Sequence, residues 1–301
     1  MGESKNFKIL LFYKYQNIEN PEKFAQEQRR FCSDNSLTAR IIIAKEGING
    51  TCAGKIDDAD SYVRHIHLIG GLEDVVFKEH FVGFNPLKKI KVQVKNEIVN
   101  SRFNGVDLSK KGGYISPAEF NEFFEKSKTD ESIVFMDVRN FIEAKVGRFK
   151  GAVVPKIKFF RELKEIIKEY SYLKDKKVVL YCAGGIRCEK ASSLLLKDGF
   201  KEVYQLEGGI YNYCKKFPNG NFEGACFVFD DRMRVAFDES GNAVDGMLPE
   251  EKIISICDYC GKKSVRVVND ERQSERCLVL CCEECDKKSD VSRIRSGKRF
   301  S

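Results

Sequence analysis

Over residues 112–220 the sequence alternates short apolar runs with segments that carry helix signals, and this alternation constrains the fold most. The runs Ile133–Asp137, Val178–Tyr181 and Glu202–Leu206 have the length and composition of strands, the first two of buried ones. Strands that alternate with helices are typical of a parallel sheet covered on both faces. We therefore predict a doubly wound α/β domain over this range.

The segments around these runs predict its helices. Ser116-Pro-Ala-Glu119 combines a capping box with a proline at the first helical position, so a helix is expected from here to about Lys126. Further helices are predicted around residues 159–170, over residues 186–197 and from Gly209 onward.

Residues 1–95 predict a separate α+β domain. The order of elements is β-α-β-β-α-β, which is that of a ferredoxin-like sandwich. Asn20-Pro21 begins the first helix, Asp57 is predicted to cap the second, and Lys88–Val94 alternates basic and apolar residues as an edge strand or a linker would. The strands are expected at 7–15, 37–44, 48–54 and 75–82.

Composition excludes several classes of protein. The 301 residues are 42% hydrophobic and 32% charged with six prolines, so the chain is neither disordered nor fibrous. Its longest apolar stretches are far shorter than the ~20 residues that span a bilayer, and its first residues lack the apolar core of a signal peptide. A cytoplasmic protein without membrane contact is expected, and its twelve cysteines should be reduced thiols.

The loop after the second buried strand carries the clearest chemical signal, in the string Tyr181-Cys-Ala-Gly-Gly-Ile-Arg-Cys188. Ligands of open α/β sheets bind beyond the carboxyl ends of the strands, where Cys182 is expected. The helix N-terminus and Arg187 both favour a thiolate, and Gly184 and Gly185 allow the loop amides to curl around the sulfur. Cys182 is a candidate nucleophile, against the alternative of a buried strand-end cysteine that only packs.

Cys188 lies six residues after Cys182 and offers two interpretations. It supports or resolves a persulfide, sulfenate or disulfide formed on Cys182, or it is a packing residue on the first helical turn. No histidine lies in this domain, since all three, His65, His67 and His80, precede it. Catalysis by a Cys-His or Ser-His-Asp arrangement is therefore poorly supported.

A second group of cysteines lies near the C-terminus. Cys257 and Cys260 form one Cys-x-x-Cys knuckle, Cys282 and Cys285 form another, and the spacing is close to that of structural four-cysteine zinc sites. Cys277 and Cys281 leave the choice of ligands ambiguous. The alternative is a set of reduced thiols in a loosely folded segment.

Three motifs resemble those of rhodanese (sulfurtransferase) domains. The loop from Cys182 to Arg187 looks like their active-site loop, Asp137-Val-Arg139 matches their Asp-x-Arg, and residues 147–152 match their Gly-His-Ile-x-Gly-Ala with arginine in place of histidine. The resemblance implies that Asp137 and Arg139 position the loop.

Two further motifs, Lys45-Glu-Gly-Ile-Asn-Gly-Thr51 and Phe227-Val-Phe-Asp-Asp-Arg232, make the chain similar to the bacterial rhodanese-related tRNA uridine hydroxylases. Those proteins combine an acylphosphatase-like domain, a rhodanese domain and a cysteine-rich C-terminal segment, here residues 221–301. The resemblance implies hydroxylation of carbon 5 of the wobble uridine of tRNA with molecular oxygen, with Cys182 essential. The sequence shows no flavin, haem or nicotinamide site.

Two other functions are compatible with these residues. One is a rhodanese-type sulfurtransferase or persulfide carrier, and the other is a noncatalytic RNA-binding module on a rhodanese scaffold. The expected partner is tRNA, and the net charge of +7 permits it. Residues 88–95 and the basic tail, residues 286–301, which is expected to be mobile, suit phosphate contact, whereas no protein partner is indicated.

Overall fold

The computed structural model describes residues 5–244, 248–289 and 291–292, and its N-terminal part is a five-stranded sheet in the order β4-β1-β3-β2-β5. All neighbours are antiparallel except β2 and β5. The elements are β1 (Phe7–Tyr15), α1 (Pro21–Asp34), β2 (Thr38–Ala44), β3 (Gly47–Lys55), α2 (Ile56–His67), β4 (Lys78–Val82) and β5 (Ile90–Val94). The predicted acylphosphatase-like α+β domain is confirmed.

The ends of two elements in this domain show how local signals act. The Asn20 side chain accepts a hydrogen bond from the Lys23 N–H and caps α1, as the sequence predicts. The prediction that Asp57 caps α2 is wrong, because β3 runs directly into that helix and Lys55 takes the cap position without a side-chain bond. Asp57 lies in the first turn instead, where its negative charge still interacts favourably with the helix dipole.

The next part of the chain is built on a four-stranded parallel sheet in the order β6-β10-β9-β7. Helices α3 and α7 pack on one face, around Phe120 and Ile210, and helices α5 and α6 pack on the other, around Leu163 and Leu195. The doubly wound α/β prediction is confirmed. The elements are β6 (Gly113–Ile115), α3 (Pro117–Ser127), β7 (Ile133–Asp137), α4 (Phe141–Val146), β8 (Gly147–Phe149), α5 (Leu163–Ile166), β9 (Lys177–Tyr181), α6 (Ile186–Lys197), β10 (Glu202–Leu206) and α7 (Gly209–Lys216).

The helix expected around residues 159–170 is more irregular than predicted. Helix α5 is a single α-helical turn between two 3₁₀ segments, Phe160–Glu162 and Ile167–Leu173. The buried side chains of Phe160 and Leu163 are three residues apart, the spacing that a 3₁₀ turn places on one face.

The C-terminal part consists of short strands and one helix. Strand β11 pairs with β8 and so joins this part to the α/β domain, while the other strands surround a core that includes Phe227, Val267 and Leu280. The elements are β11 (Phe222–Gly224), β12 (Cys226–Phe227), β13 (Arg234–Phe237), β14 (Ala243–Val244), β15 (Val267–Asn269), β16 (Leu278–Leu280) and α8 (Glu283–Ser289). Most of the basic tail, at 290 and 293–301, lies outside the described residues. The prediction that the tail is mobile therefore concerns residues that the structure does not describe.

The N-terminal domain packs on the start of α6. Lys190 binds Glu46 and Glu97 at 2.8 Å each, and the Tyr13 hydroxyl donates to Glu189 at 3.2 Å. Glu46 belongs to one of the motifs that carried the resemblance, and its carboxylate makes an interdomain contact here. No helix among the described residues has the length and apolar character needed to cross a bilayer.

Candidate active site

Cys182 directly follows β9, a central strand of the parallel sheet, at its carboxyl end. Its side chain is fully buried, and the next three residues lead into α6. The backbone N–H of Gly185 donates to the Cys182 sulfur at 3.1 Å. The sulfur therefore lies at a helix N-terminus, where backbone amides favour its ionised form.

The two glycines of the loop have different environments. Gly185 has a φ of +104°, and a Cβ there would lie 2.8 Å from the Tyr13 hydroxyl, so this position requires glycine. A Cβ on Gly184 would meet no atom within 4 Å. The expectation that both glycines are needed to curl the loop therefore has a steric basis only at Gly185, and Gly184 instead faces open space.

The surroundings of the two loop cysteines move their pKa values in opposite directions. Burial alone would raise the pKa of Cys182, but the Cys188 thiol, the Arg187 charge and the amides of Arg187 and Gly185 lower it to about 6. Burial and the neighbouring Cys182 sulfur hold the pKa of Cys188 well above its usual range. Near neutral pH, Cys182 is a thiolate that accepts a hydrogen bond from the Cys188 thiol.

Arg187 does not point an unpaired charge at the sulfur. Its guanidinium binds both carboxylate oxygens of Glu143 at 2.7 and 2.8 Å, and both side chains are buried. A bidentate pair of this kind fixes the arginine in one orientation. Glu143, on the first turn of α4, is a site residue that the sequence analysis missed; its signal was the Asn140-x-x-Glu143 pattern of a helix start, which does not disclose the partner.

The predicted pair Asp137 and Arg139 lies beneath this arrangement. Arg139 donates to the Asp137 carboxylate at 2.6 and 2.9 Å and to the Gly147 carbonyl at 2.6 Å, with both side chains fully buried. These bonds join the end of β7 to the start of β8 and enclose α4, which carries Glu143. The pair also contacts the residue that precedes Cys182, because Asp137 is the neighbour of Tyr181 across strands β7 and β9 and the Arg139 guanidinium lies 5.9 Å from the centroid of the Tyr181 ring.

A cavity of about 420 Å³ opens over the Cys182 loop. The N-terminal domain lines one side, the α/β domain lines another, and Phe227–Asp230 of the C-terminal part completes the wall. Cavities of this size are typical of small-molecule sites, for which the range is about 300–1,000 Å³. The structure thus places the candidate nucleophile at the junction of all three parts.

The four cysteines of the two knuckles also come together. The sulfurs of Cys257, Cys260, Cys282 and Cys285 all lie within 4.8 Å of one another. Tetrahedral zinc with Zn–S bonds of ~2.3 Å needs sulfurs roughly 3.8 Å apart, so the donor set fits. Cys281 directs its thiol to a backbone carbonyl instead, and Cys277 is not part of the group.

Three family models match consecutive parts of the chain. The UPF0176 acylphosphatase-like domain matches residues 7–98, the rhodanese-like domain matches residues 116–216, and the rhodanese C-terminal family matches residues 223–295. The first covers the five-stranded sheet, the second covers three of the four strands of the parallel sheet, and the third covers the segment with the four cysteines.

Curated proteins similar to this chain match nearly all of it. A protein of Staphylococcus carnosus is 39% identical over 93% of this chain and 90% of its own length, and one of Cytophaga hutchinsonii is 39% identical over 94% and 87%. One of Acholeplasma laidlawii is 37% identical over 98% and 92%. Each is named tRNA uridine(34) hydroxylase. The resemblance that the motifs indicated is confirmed, and the chain belongs to the tRNA uridine(34) hydroxylase family.

Proposed function

We propose that this protein is an enzyme that hydroxylates carbon 5 of uridine 34, the wobble uridine of tRNA, and that Cys182 is its reacting residue. The observation that carries the proposal is a buried thiol whose pKa is lowered to about 6 and which lies in the wall of a nucleotide-sized cavity. The full-length similarity to proteins named tRNA uridine(34) hydroxylase supports the substrate.

The reaction replaces the C5–H bond of uracil by a C5–OH bond. One atom of molecular oxygen enters the base, and the other leaves as water after accepting two electrons and two protons from a reductant. The thiolate form of Cys182 supplies the nucleophilic sulfur, and the Gly185 amide and the Cys188 thiol stabilise its negative charge. Cys188 therefore supports Cys182 as a hydrogen-bond donor, and a further role as a resolving thiol would show as a loss of hydroxylation in Cys188→Ser.

The cavity suits a single nucleotide turned out of the anticodon loop. An unpaired loop base is turned out at a lower cost than a base of a duplex. Arg40, which is exposed and donates to the Phe229 carbonyl at 2.7 Å, and Arg161, stacked 4.2 Å from the Phe159 ring centroid, supply positive charge and aromatic surface along the cavity. Such groups bind phosphates and stack on bases.

The four-cysteine group is proposed to hold one structural zinc ion. The geometry of its sulfurs supports this, since each of the four knuckle cysteines offers one thiolate and no other described side chain joins the group. Zinc bound by four thiolates has no open position and would stabilise the fold rather than take part in the hydroxylation.

Mass spectrometry of tRNA nucleosides tests the hydroxylase proposal. Cells that lack their own hydroxylase receive the wild-type protein, the Cys182→Ala variant or the control Cys277→Ser, which changes a half-buried cysteine outside both groups. We expect 5-hydroxyuridine or its derivatives with the wild type and the control and none with Cys182→Ala. If soluble wild-type protein yields none, the rhodanese-type sulfurtransferase becomes the better account, and release of sulfur from thiosulfate would be measured next.

A further inference from the structure

The N-terminal domain contributes a lysine to the wall of the cavity that Cys182 lines. Lys78 is the first residue of β4, where it pairs with Leu11 of β1, and it lines the same cavity as Cys182 and Arg187. The Lys78 ammonium lies 5.7 Å from the centroid of the Tyr13 ring, and the Tyr13 hydroxyl lies against Gly185. Lys78 is thus one aromatic side chain away from the loop that holds the sulfur.

The charge of Lys78 is not neutralised by a carboxylate. Among the described residues no acidic side chain forms an ion pair with it, and the residue is half-buried. Arg187, by contrast, is bound by Glu143 through two hydrogen bonds. Even partial burial of a cation without a fixed partner costs free energy unless an anion lies near it.

Two anionic groups act on Lys78, the Cys182 sulfur and the Glu207 carboxylate, and of these two Cys182 lines the cavity together with Lys78. Burial lowers the pKa of Lys78, and the charges of Cys182 and Glu207 oppose this effect. His80, two residues along the same strand, carries no charge at neutral pH, because burial and the charges of Arg232 and Lys78 lower its pKa to about 3. Tyr13 is also neutral there, since burial raises its pKa far above its ordinary value.

We propose that Lys78 is a positioning residue of the active site, supplied across the domain interface to stabilise the anionic sulfur of Cys182. The N-terminal domain then contributes to the chemistry of Cys182 as well as to binding of the substrate. This inference rests on the proposed function for the role of Cys182 as the reacting residue. It requires only the charge of Lys78, and no bond to it is made or broken.

Alkylation of Cys182 by iodoacetamide in the purified full-length protein tests the proposal. The rate is measured against pH, by mass spectrometry of the peptide that contains Cys182, for the wild type, Lys78→Met and Lys78→Arg. Lys78→Met keeps the apolar stem and removes the charge, so we expect the midpoint of the profile to move upward, by up to about 0.5 pH unit. Lys78→Arg keeps the charge and should hold the midpoint close to that of the wild type.

Lys89→Met is the matched control, because Lys89 is an exposed lysine of the same domain. It should leave the midpoint unchanged, and thermal unfolding should show that every variant is folded. An unchanged midpoint in folded Lys78→Met, or an equal shift in Lys89→Met, would overturn the proposal. If the midpoint shifts in Lys78→Met but the wild-type protein forms no 5-hydroxyuridine, the proposed role of Lys78 is supported and the hydroxylase function is rejected.

Discussion

The protein has two groups of cysteines, and they differ in what surrounds each sulfur. In the α/β domain, Cys182 and Cys188 are fully buried, and backbone amides and one thiol point at a single sulfur. In the C-terminal part, four sulfurs lie close to one another, and their cysteines range from buried at Cys257 to exposed at Cys260. We therefore propose that the same residue type serves a reaction in one region and metal binding in the other. The environment of the sulfur, and not its spacing in the sequence alone, separates the two.

The largest difference that we expect between the two cysteine groups is in their response to removal of the proposed zinc ion. Structural zinc binds with an apparent free energy of about 10 kcal/mol or more, so metal analysis should find one zinc per chain in protein purified without chelator and none in Cys260→Ser. Cys277→Ser should keep the metal. The loss of zinc should expose the C-terminal part to proteolysis and leave the pH profile of Cys182 alkylation unchanged. A wild-type protein without zinc would contradict the proposed metal site.

Breaking the buried ion pair beside the reactive loop should have the next largest effect. In Glu143→Gln the buried Arg187 charge loses its partner, at a cost of about 3 kcal/mol in the free energy of unfolding. Urea denaturation measures this loss. Glu122→Gln, a change at an exposed position of the same domain, is the control and should cost less than about 0.5 kcal/mol. Equal effects of the two variants would show that the pair does not stabilise the loop.

The two glycines of the loop offer a sharper test of the same region. Gly185→Ala places a side chain at a φ of +104° and against the Tyr13 hydroxyl, so we expect a loss of at least about 1–2 kcal/mol in unfolding free energy. Gly184→Ala adds a methyl group in open space and should change stability by less than about 0.5 kcal/mol. Thermal or urea unfolding of both variants checks the difference, and a reversed order would contradict the loop geometry.

The smallest expected effect belongs to the second cysteine of the loop. Cys188→Ala removes one hydrogen-bond donor worth about 1 kcal/mol, which corresponds to an upward shift of about 0.7 pH unit in the pKa of Cys182. Cys188→Ser keeps a donor and should keep the pKa near 6. If Cys188→Ser nevertheless loses hydroxylation, Cys188 also acts as a resolving thiol; unchanged activity would limit it to support.

The pH dependence of hydroxylation should change from variant to variant together with the pKa of Cys182. Because its pKa is lowered to about 6, the thiolate is present above that pH and is protonated as the pH falls through it. Each of the changes at positions 78 and 188 that raises this pKa should move the acidic limb of the activity profile upward by the same amount.

Local patterns were sufficient for much of the fold. The limits of β7, α6 and β10 agree with the predicted ones, because apolar periodicity and capping residues act within a few neighbours along the chain. The same kind of signal failed at Asp57 and around residues 159–170. There the direct continuation of β3 into α2 and the three-residue spacing of buried side chains decided the local structure.

The sequence by itself determined the two sheets, the family and the position of Cys182 at the end of a strand and the start of a helix. Only the tertiary structure decided that Glu143 binds Arg187, that Tyr13 lies on Gly185 and that Lys78 shares a cavity with Cys182. The physical reason is distance along the chain. A backbone motif acts between neighbours, whereas the partner of a charge or a sulfur depends on how separate elements pack against one another.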